Sequence, residues 1–291
     1  MQEPPRGLGL GLALVAGALA VGCAHAPAPA DQTEERRIAV ANGWLLGRSL
    51  GLGTATPLVF VHGVGGNHHL FEPQLQGFRN ARRVLAFDQR GCGGSADAPG
   101  GNYDLDTRVR DLGLMLDVLR FETVVLVSHG TGGQVVARYA EQNPDRVLGL
   151  VLIDPVSDDA EARRVADLPE AELQTAVDRW LGELLEGARP ETREMVLAAG
   201  RQARTPAMRE MLSDAASSGL TASLAAYPGP VLILAAPDER LPAPLRPGIE
   251  VRRLKSGSHW SPLDAPDEVD AALRDFLRPI DEEAVRRRRS R

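Results

Sequence analysis

The residues of this 291-residue chain best suited to chemistry are histidines beside Gly-rich turns and loop carboxylates. His259 stands in "LKSGSHWSPLDAPDEV", after Gly257-Ser258, and the loop "AAPDERLP" ahead of it offers Asp238 and Glu239. Asp154, closing the run "VLGLVLID", is a third carboxylate of interest. An imidazole oriented by a carboxylate can serve as a general base near neutral pH. Two Gly-rich turns, "HGVGG" at 62–66 and "SHGTGG" at 128–133, each follow an apolar run. Such turns let backbone N–H groups approach a ligand closely. His62, His68 and His69 can be grouped as a metal cluster, but no helical HxxxH or carboxylate spacing supports one, so no metal or cofactor is expected.

Those residues need a scaffold. Residues 37–50 read as a hairpin around Asn42-Gly43. Short apolar strands are expected at 57–61, 84–88, 123–127, 147–153, 231–235 and 250–254, with helices over 105–120, 131–141 and 266–276. Near-continuous apolar strands alternating with helices predict an α/β fold with a mostly parallel central sheet flanked by helices. From 156 to 227 the strands stop and the spacing is helical, with Pro169 and Pro190 placed to start helices. This segment reads as a helical lid inserted after the sixth strand, over the carboxyl ends of the strands where such sheets bind ligands. The core is then 37–155 with 228–280, followed by a basic tail over 281–291.

Taken in order, these motifs resemble the α/β-hydrolase superfamily from about residue 38 to 277. His62-Gly63-Val64-Gly65-Gly66 is similar to the family's HGxxG loop, and the resemblance implies that the Val64 N–H is an oxyanion donor. Asp88-Gln89-Arg90-Gly91-Cys92-Gly93-Gly94-Ser95 resembles the family's D-x-R-G-x-G-x-S. Its wording is similar to proline iminopeptidases, although those carry HGGPG where this chain has HGVGG. "VVLVSHGTGG" resembles the nucleophile elbow, with Gly130 where the serine belongs and Thr131 supplying the second oxyanion N–H. Ser128 and Thr131 are expected to direct their hydroxyls away from the base. The resemblance implies His259 as the base and Glu239 as its acid, with Asp238 and Asp154 as alternatives. Glycine at the elbow removes backbone strain and the attacking oxygen together.

The N-terminus carries Arg6, an apolar run at 8–22 and Cys23. The run is short for a membrane span and reads as a signal peptide over 1–22, followed by a lipoprotein-type linker over 23–36. The pattern before Cys23 is similar to bacterial lipoprotein signals, which implies a lipid anchor there and a cell-envelope location. Cleavage after Ala26, giving a periplasmic or secreted protein, is the alternative. Two cysteines far apart and without a CxxC pair offer no disulfide framework. A net charge of -6 gives no footprint for nucleic acid. The expected partner is therefore a small or lipophilic substrate. The expected activity is ester or acyl hydrolysis through a water in place of the serine. The alternatives are a pseudohydrolase that binds a ligand or partner, and a peptidase.

Overall fold

The computed structural model describes residues 35–289 apart from Ser218 and Ser256, together with Met1. The expected signal peptide, most of the linker and Cys23 lie outside the described residues. The chain opens with β1 (Glu35–Val40) and β2 (Gly43–Val61), joined by a tight turn in which Asn42 takes φ 58°. Then follow α1 (Glu72–Phe78), β3 (Arg82–Phe87), α2 (Leu105–Val118), β4 (Val124–His129), α3 (Gly132–Gln142) and β5 (Val147–Ile153). Five helices come next: α4 (Ala160–Ala166), α5 (Glu170–Leu184), α6 (Pro190–Gln202), α7 (Thr205–Ala215) and α8 (Gly219–Ala226). The chain closes with β6 (Val231–Ala235), β7 (Glu250–Arg253), α9 (Ser261–Asp264) and α10 (Pro266–Arg289).

The sheet runs β1-β2-β4-β5-β6-β7, with β3 paired to β2. Strand β2 meets β3 twice. Gly47 faces Phe87 and Leu50 faces Val84, so this half runs against β3, whereas Leu58 to Val61 face Val84 to Phe87 in the same sense. The sequence separates these halves into two strands, but the structure carries one strand bent around β3, so the helical insertion follows the fifth strand rather than the sixth. Gly51 and Gly53 permit the bend. A Cβ on Gly51 would lie 2.3 Å from the Arg82 carbonyl oxygen, and one on Gly53 2.1 Å from the backbone of Ala81.

Strand β4 is buried along its whole length, as is β6, which explains their unbroken apolar runs. Alternate residues serve opposite faces. Leu58, Phe60, Val125, Val127, Val151 and Ile153 pack with Leu273, Phe276 and Leu277 of α10 and with much of the insertion. Val59, Val61, Leu126, Leu150 and Leu152 pack with Leu112 and Met115 of α2 and Val135 and Val136 of α3. Burying each such side chain stabilises the fold by about 1.5–3 kcal/mol.

Two boundaries differ from expectation. Helix α8, read as part of the lid, puts Leu220 and Leu224 into the core beside α3, so it belongs to the layer covering the sheet. Helix α10 continues into the expected basic tail as far as Arg289. Asp281 anchors that extension by accepting from Arg82 Nη2 at 2.7 Å, and Glu283 pairs with Arg286 and Arg287 one turn on. No helix among the described residues is long and apolar enough to cross a membrane.

The loop after β3 is tied to α2 by a buried, bidentate ion pair, Arg90 Nε and Nη2 to Asp111 at 2.7 Å each. Removing one partner leaves an uncompensated buried charge. Asp111→Ala should therefore lower stability by about 3–5 kcal/mol in urea unfolding. A loss below 1 kcal/mol would contradict this reading of the pair.

Candidate active site around Gly130 and His259

Strand β4 ends at His129, and the chain turns sharply at Gly130, which takes φ 53°. The Gly130 N–H donates to the Ile153 carbonyl at 3.0 Å, and the Gly133 N–H to the Gly130 carbonyl at 3.2 Å. The turn is thus fixed by β5 on one side and by the start of α3 on the other. A Cβ on Gly130 would stand 3.6 Å from His259 Nε2. The position expected to carry the nucleophile therefore faces the imidazole.

His259 Nδ1 lies 3.0 Å from Glu239 Oε2, while Asp238 is exposed. The backbone is held as well, because His129 Nε2 donates to the His259 carbonyl at 2.8 Å. Burial is the largest influence on the His259 pKa and pulls it down. The hydrogen bond and charge of Glu239, helped by Asp154 and Asp159, outweigh it, so the net shift is upward. His129 moves the other way, well below the usual histidine value, through burial and then the charge of His259. It stays neutral and acts as a brace.

The 62–66 loop lies directly against this turn. A Cβ on Gly63 would be 2.7 Å from the Thr131 nitrogen, and one on Gly132 2.5 Å from the Val61 carbonyl oxygen. His62 accepts from the Gln89 N–H through Nε2 at 2.9 Å, so its Nδ1–H donates to the Gly63 carbonyl at 2.8 Å. The Val64 N–H, an expected oxyanion donor, gives its hydrogen to Thr131 Oγ1 at 3.0 Å. The Thr131 hydroxyl is thus engaged with the 62–66 loop. Ser128 is buried, and its hydroxyl has no hydrogen-bond partner among the described residues. From above, α5 and α6 close on the loop. A Cβ on Gly65 would be 2.7 Å from Leu181 Cδ2 and 3.2 Å from Val196 Cγ1.

With this geometry established, comparison with known proteins places the fold. Residues 58–272 match the alpha/beta hydrolase family. The chain belongs to that family. Over 108 residues it is 37% identical to the sn-1-specific diacylglycerol lipase ABHD11 of Danio rerio, covering 36% of this chain and 33% of that protein. The chain thus spans about a third of the length of such curated relatives. The enol-lactonase of Burkholderia xenovorans LB400 superposes with a TM-score of 0.70 at 20% identity, over 83% of this chain and 99% of that one. A thermophilic esterase of Thermogutta terrifontis gives 0.70 at 24% identity, over 85% and 99%. At such identities the structural likeness shows the fold alone.

Asp154 takes a different place from Glu239. It sits fully buried at the end of β5 with φ 47°. It accepts from the Ala236 N–H and from Ser261 Oγ, both at 2.6 Å, and so joins the loop after β6 to the helix after His259. Arg253 of β7 is a residue that the sequence reading missed. Its Nη1 donates to the carbonyls of Ala236, Pro237 and Glu239 at 3.1, 3.0 and 3.0 Å, which holds the acid-bearing loop in place. In the sequence it is one of a pair of arginines on a strand, indistinguishable from a solvated charge. Cys92, beside the D-x-R-G motif, is buried, and burial pushes its thiol up to about 12.

Burial pushes the Asp154 carboxyl up to about 7, against the pull of His259 and its two hydrogen bonds. An acid with a raised folded pKa binds more protons folded than unfolded. Its contribution to stability is full below its unfolded pKa of about 3.9 and is lost as pH rises toward 7. Asp154→Asn removes that loss. In thermal melts, its stability relative to the parent should improve steadily from pH 4 to pH 7 and then level off. A difference that is flat with pH would contradict the raised carboxyl.

Proposed function

We propose that this chain is a slow acyl-ester hydrolase in which water, activated by His259, takes the place of the serine oxygen above Gly130. The observation that carries the reading is the 3.6 Å separation between the Gly130 Cβ position and His259 Nε2, with Glu239 on the opposite ring nitrogen. That spacing puts an attacking oxygen within hydrogen-bond reach of the base. His259 Nε2 takes a proton from the water as its oxygen attacks the ester carbonyl carbon. The N–H of Thr131 meets the developing oxyanion, and that of Val64 joins once the Thr131 hydroxyl rotates away. The carbon–oxygen bond to the alcohol then breaks, and His259 returns the proton to the leaving oxygen. Sites of this kind without their nucleophile retain about 10³–10⁴-fold catalysis over water.

A second reading rests on the Val64–Thr131 hydrogen bond, which engages an oxyanion donor internally. It makes the chain a pseudohydrolase that binds a ligand or partner. A lipid anchor at Cys23 on the cell envelope belongs to either reading and is supported by the apolar run at 8–22. Cys23→Ser should then move the protein from the membrane fraction to the soluble fraction, and retention at the membrane would count against the anchor.

Hydrolysis of short p-nitrophenyl esters separates the readings. The parent should turn over slowly, and His259→Ala should lower the rate by about a hundredfold or more. Gly130→Ser should raise kcat/KM by at least about a hundredfold. It should also lower stability by about 1–2 kcal/mol, because a side chain at φ 53° is strained. Parent activity no greater than that of free imidazole would favour the pseudohydrolase.

The base must be neutral to accept a proton. The rate should therefore rise with pH through a midpoint above the ordinary histidine value of 6.5. Glu239→Gln removes the main upward influence and should move that midpoint down. An unmoved midpoint would detach Glu239 from the base.

A further inference from the structure

The grouping of His62 with His68 and His69 does not survive in the structure, because His62 turns inward to Gln89 and Gly63. A different third residue replaces it. Glu35, the first residue of β1, reaches the two remaining histidines, and one ligand-type atom from each of the three lies within 4.8 Å of the others. The pairing across β1 and β2 brings Glu35 opposite Arg48, next to Gly47, which faces Phe87 at the end of β3. The carboxylate is therefore supplied by sheet register from 33 residues away, where no local motif reveals it.

His68 is the centre of the cluster. Its Nδ1 lies 2.7 Å from Asp88 Oδ1, and the same oxygen accepts the His68 N–H at 2.8 Å. With Nδ1–H donating to that buried carboxylate, Nε2 donates to Glu35 when the ring is protonated and carries a lone pair when the ring is neutral. Nε2 faces Glu35 Oε1 at 3.2 Å, and that oxygen also carries lone pairs. Two acceptors at this distance need a proton or a cation between them. Ligand atoms around four-coordinate zinc, each about 2.0–2.1 Å from the metal, stand about 3.4 Å apart, close to the separation observed.

The third ligand is adaptable. His69 Nε2 is 3.9 Å from the same Glu35 oxygen, and the His69 side chain is half-exposed, so a small rotation closes the set. The Asp88–His68 contact is the carboxylate–histidine arrangement that orients and strengthens a metal-binding imidazole. Glu72 lies nearby but pairs with Arg48 at 3.2 Å, leaving the charge of Glu35 directed at the histidines.

We propose that Glu35, His68 and His69 form a binding site for zinc or a similar divalent cation, with a fourth position open to solvent. Nitrogen and carboxylate ligands in this number suit zinc better than magnesium or calcium, which take oxygen ligands. A bound ion fastens the first residue of β1 to the 3-10 turn that follows the "HGVGG" loop. The site shares no residue with the His259–Glu239 pair, so the proposal does not depend on the hydrolytic reading.

The test uses the full chain, stripped with a chelator and titrated with zinc chloride by calorimetry. Cobalt(II) serves as a second probe through its visible absorption. The expected result is one site of micromolar or tighter affinity, with the intense bands of four-coordinate cobalt. Glu35→Gln and His69→Ala should each weaken zinc binding by about tenfold or more. His25→Ala and Cys23→Ser should leave it unchanged. Glu35 and His69 carry the test because both are exposed, whereas His68 belongs to the buried Asp88 network. Failure to bind zinc at micromolar concentrations, or binding indifferent to both exposed-ligand variants, would overturn the proposal.

Discussion

Everything at the candidate site depends on two backbones approaching more closely than side chains would allow. The turn after β4 and the loop after β2 touch through Gly63 and Gly132, where even a methyl group would fall within about 2.5–2.7 Å of the opposing main chain. This contact brings the Val64 and Thr131 N–H groups to one place and sets where His259 must arrive from the far end of the chain. Carbonyl and amide groups are obligatory hydrogen-bonding partners, and the sheet supplies them here through Ile153. The geometry therefore comes from the scaffold and needs no contribution from a side chain at position 130.

That explains a feature that is otherwise odd. Gly130 can adopt many conformations, yet it takes the left-handed one that would strain any other residue. The strain is imposed by the connection between β4 and α3, and glycine relieves it. On the other side of the site, Glu239 is presented on a loop whose carbonyls are gathered by Arg253 and whose start is clamped by Asp154. These are interactions among distant strands and loops, and they leave His259 little freedom to drift.

Most of the scaffold was legible in the sequence because apolar strands buried on both faces leave an unmistakable pattern. The hairpin at Asn42, the buried runs of β4, β5 and β6, and the helix after Gly130 stand where periodicity and turn chemistry put them. The bend of β2 around β3 was not legible, since Gly51 and Gly53 read as a loop when their partners at 79–82 are unknown. The inward face of α8 and the continuation of α10 past Pro279 depend on α3 and on Arg82, which sequence spacing does not reveal. Among the site residues, the family resemblance implied Glu239 as the partner of His259 with Asp238 and Asp154 as alternatives, and Glu239 Oε2 is the oxygen found 3.0 Å from Nδ1. The roles of Thr131 Oγ1, Arg253 and Glu35 follow from contacts between residues far apart in sequence. No local pattern encodes such contacts.

Cys92 has a consequence outside the site. Its thiol is buried beside the D-x-R-G loop, with its ionisation pushed up to about 12, so almost none of it is thiolate at neutral pH. The thiolate is the form that attacks alkylating agents and disulfides, so the native fold keeps this sulfur chemically silent. Only molecules that have opened this part of the core expose it. The chain therefore contains its own clock at Cys92, whose rate of modification counts how often the region around the loop comes apart.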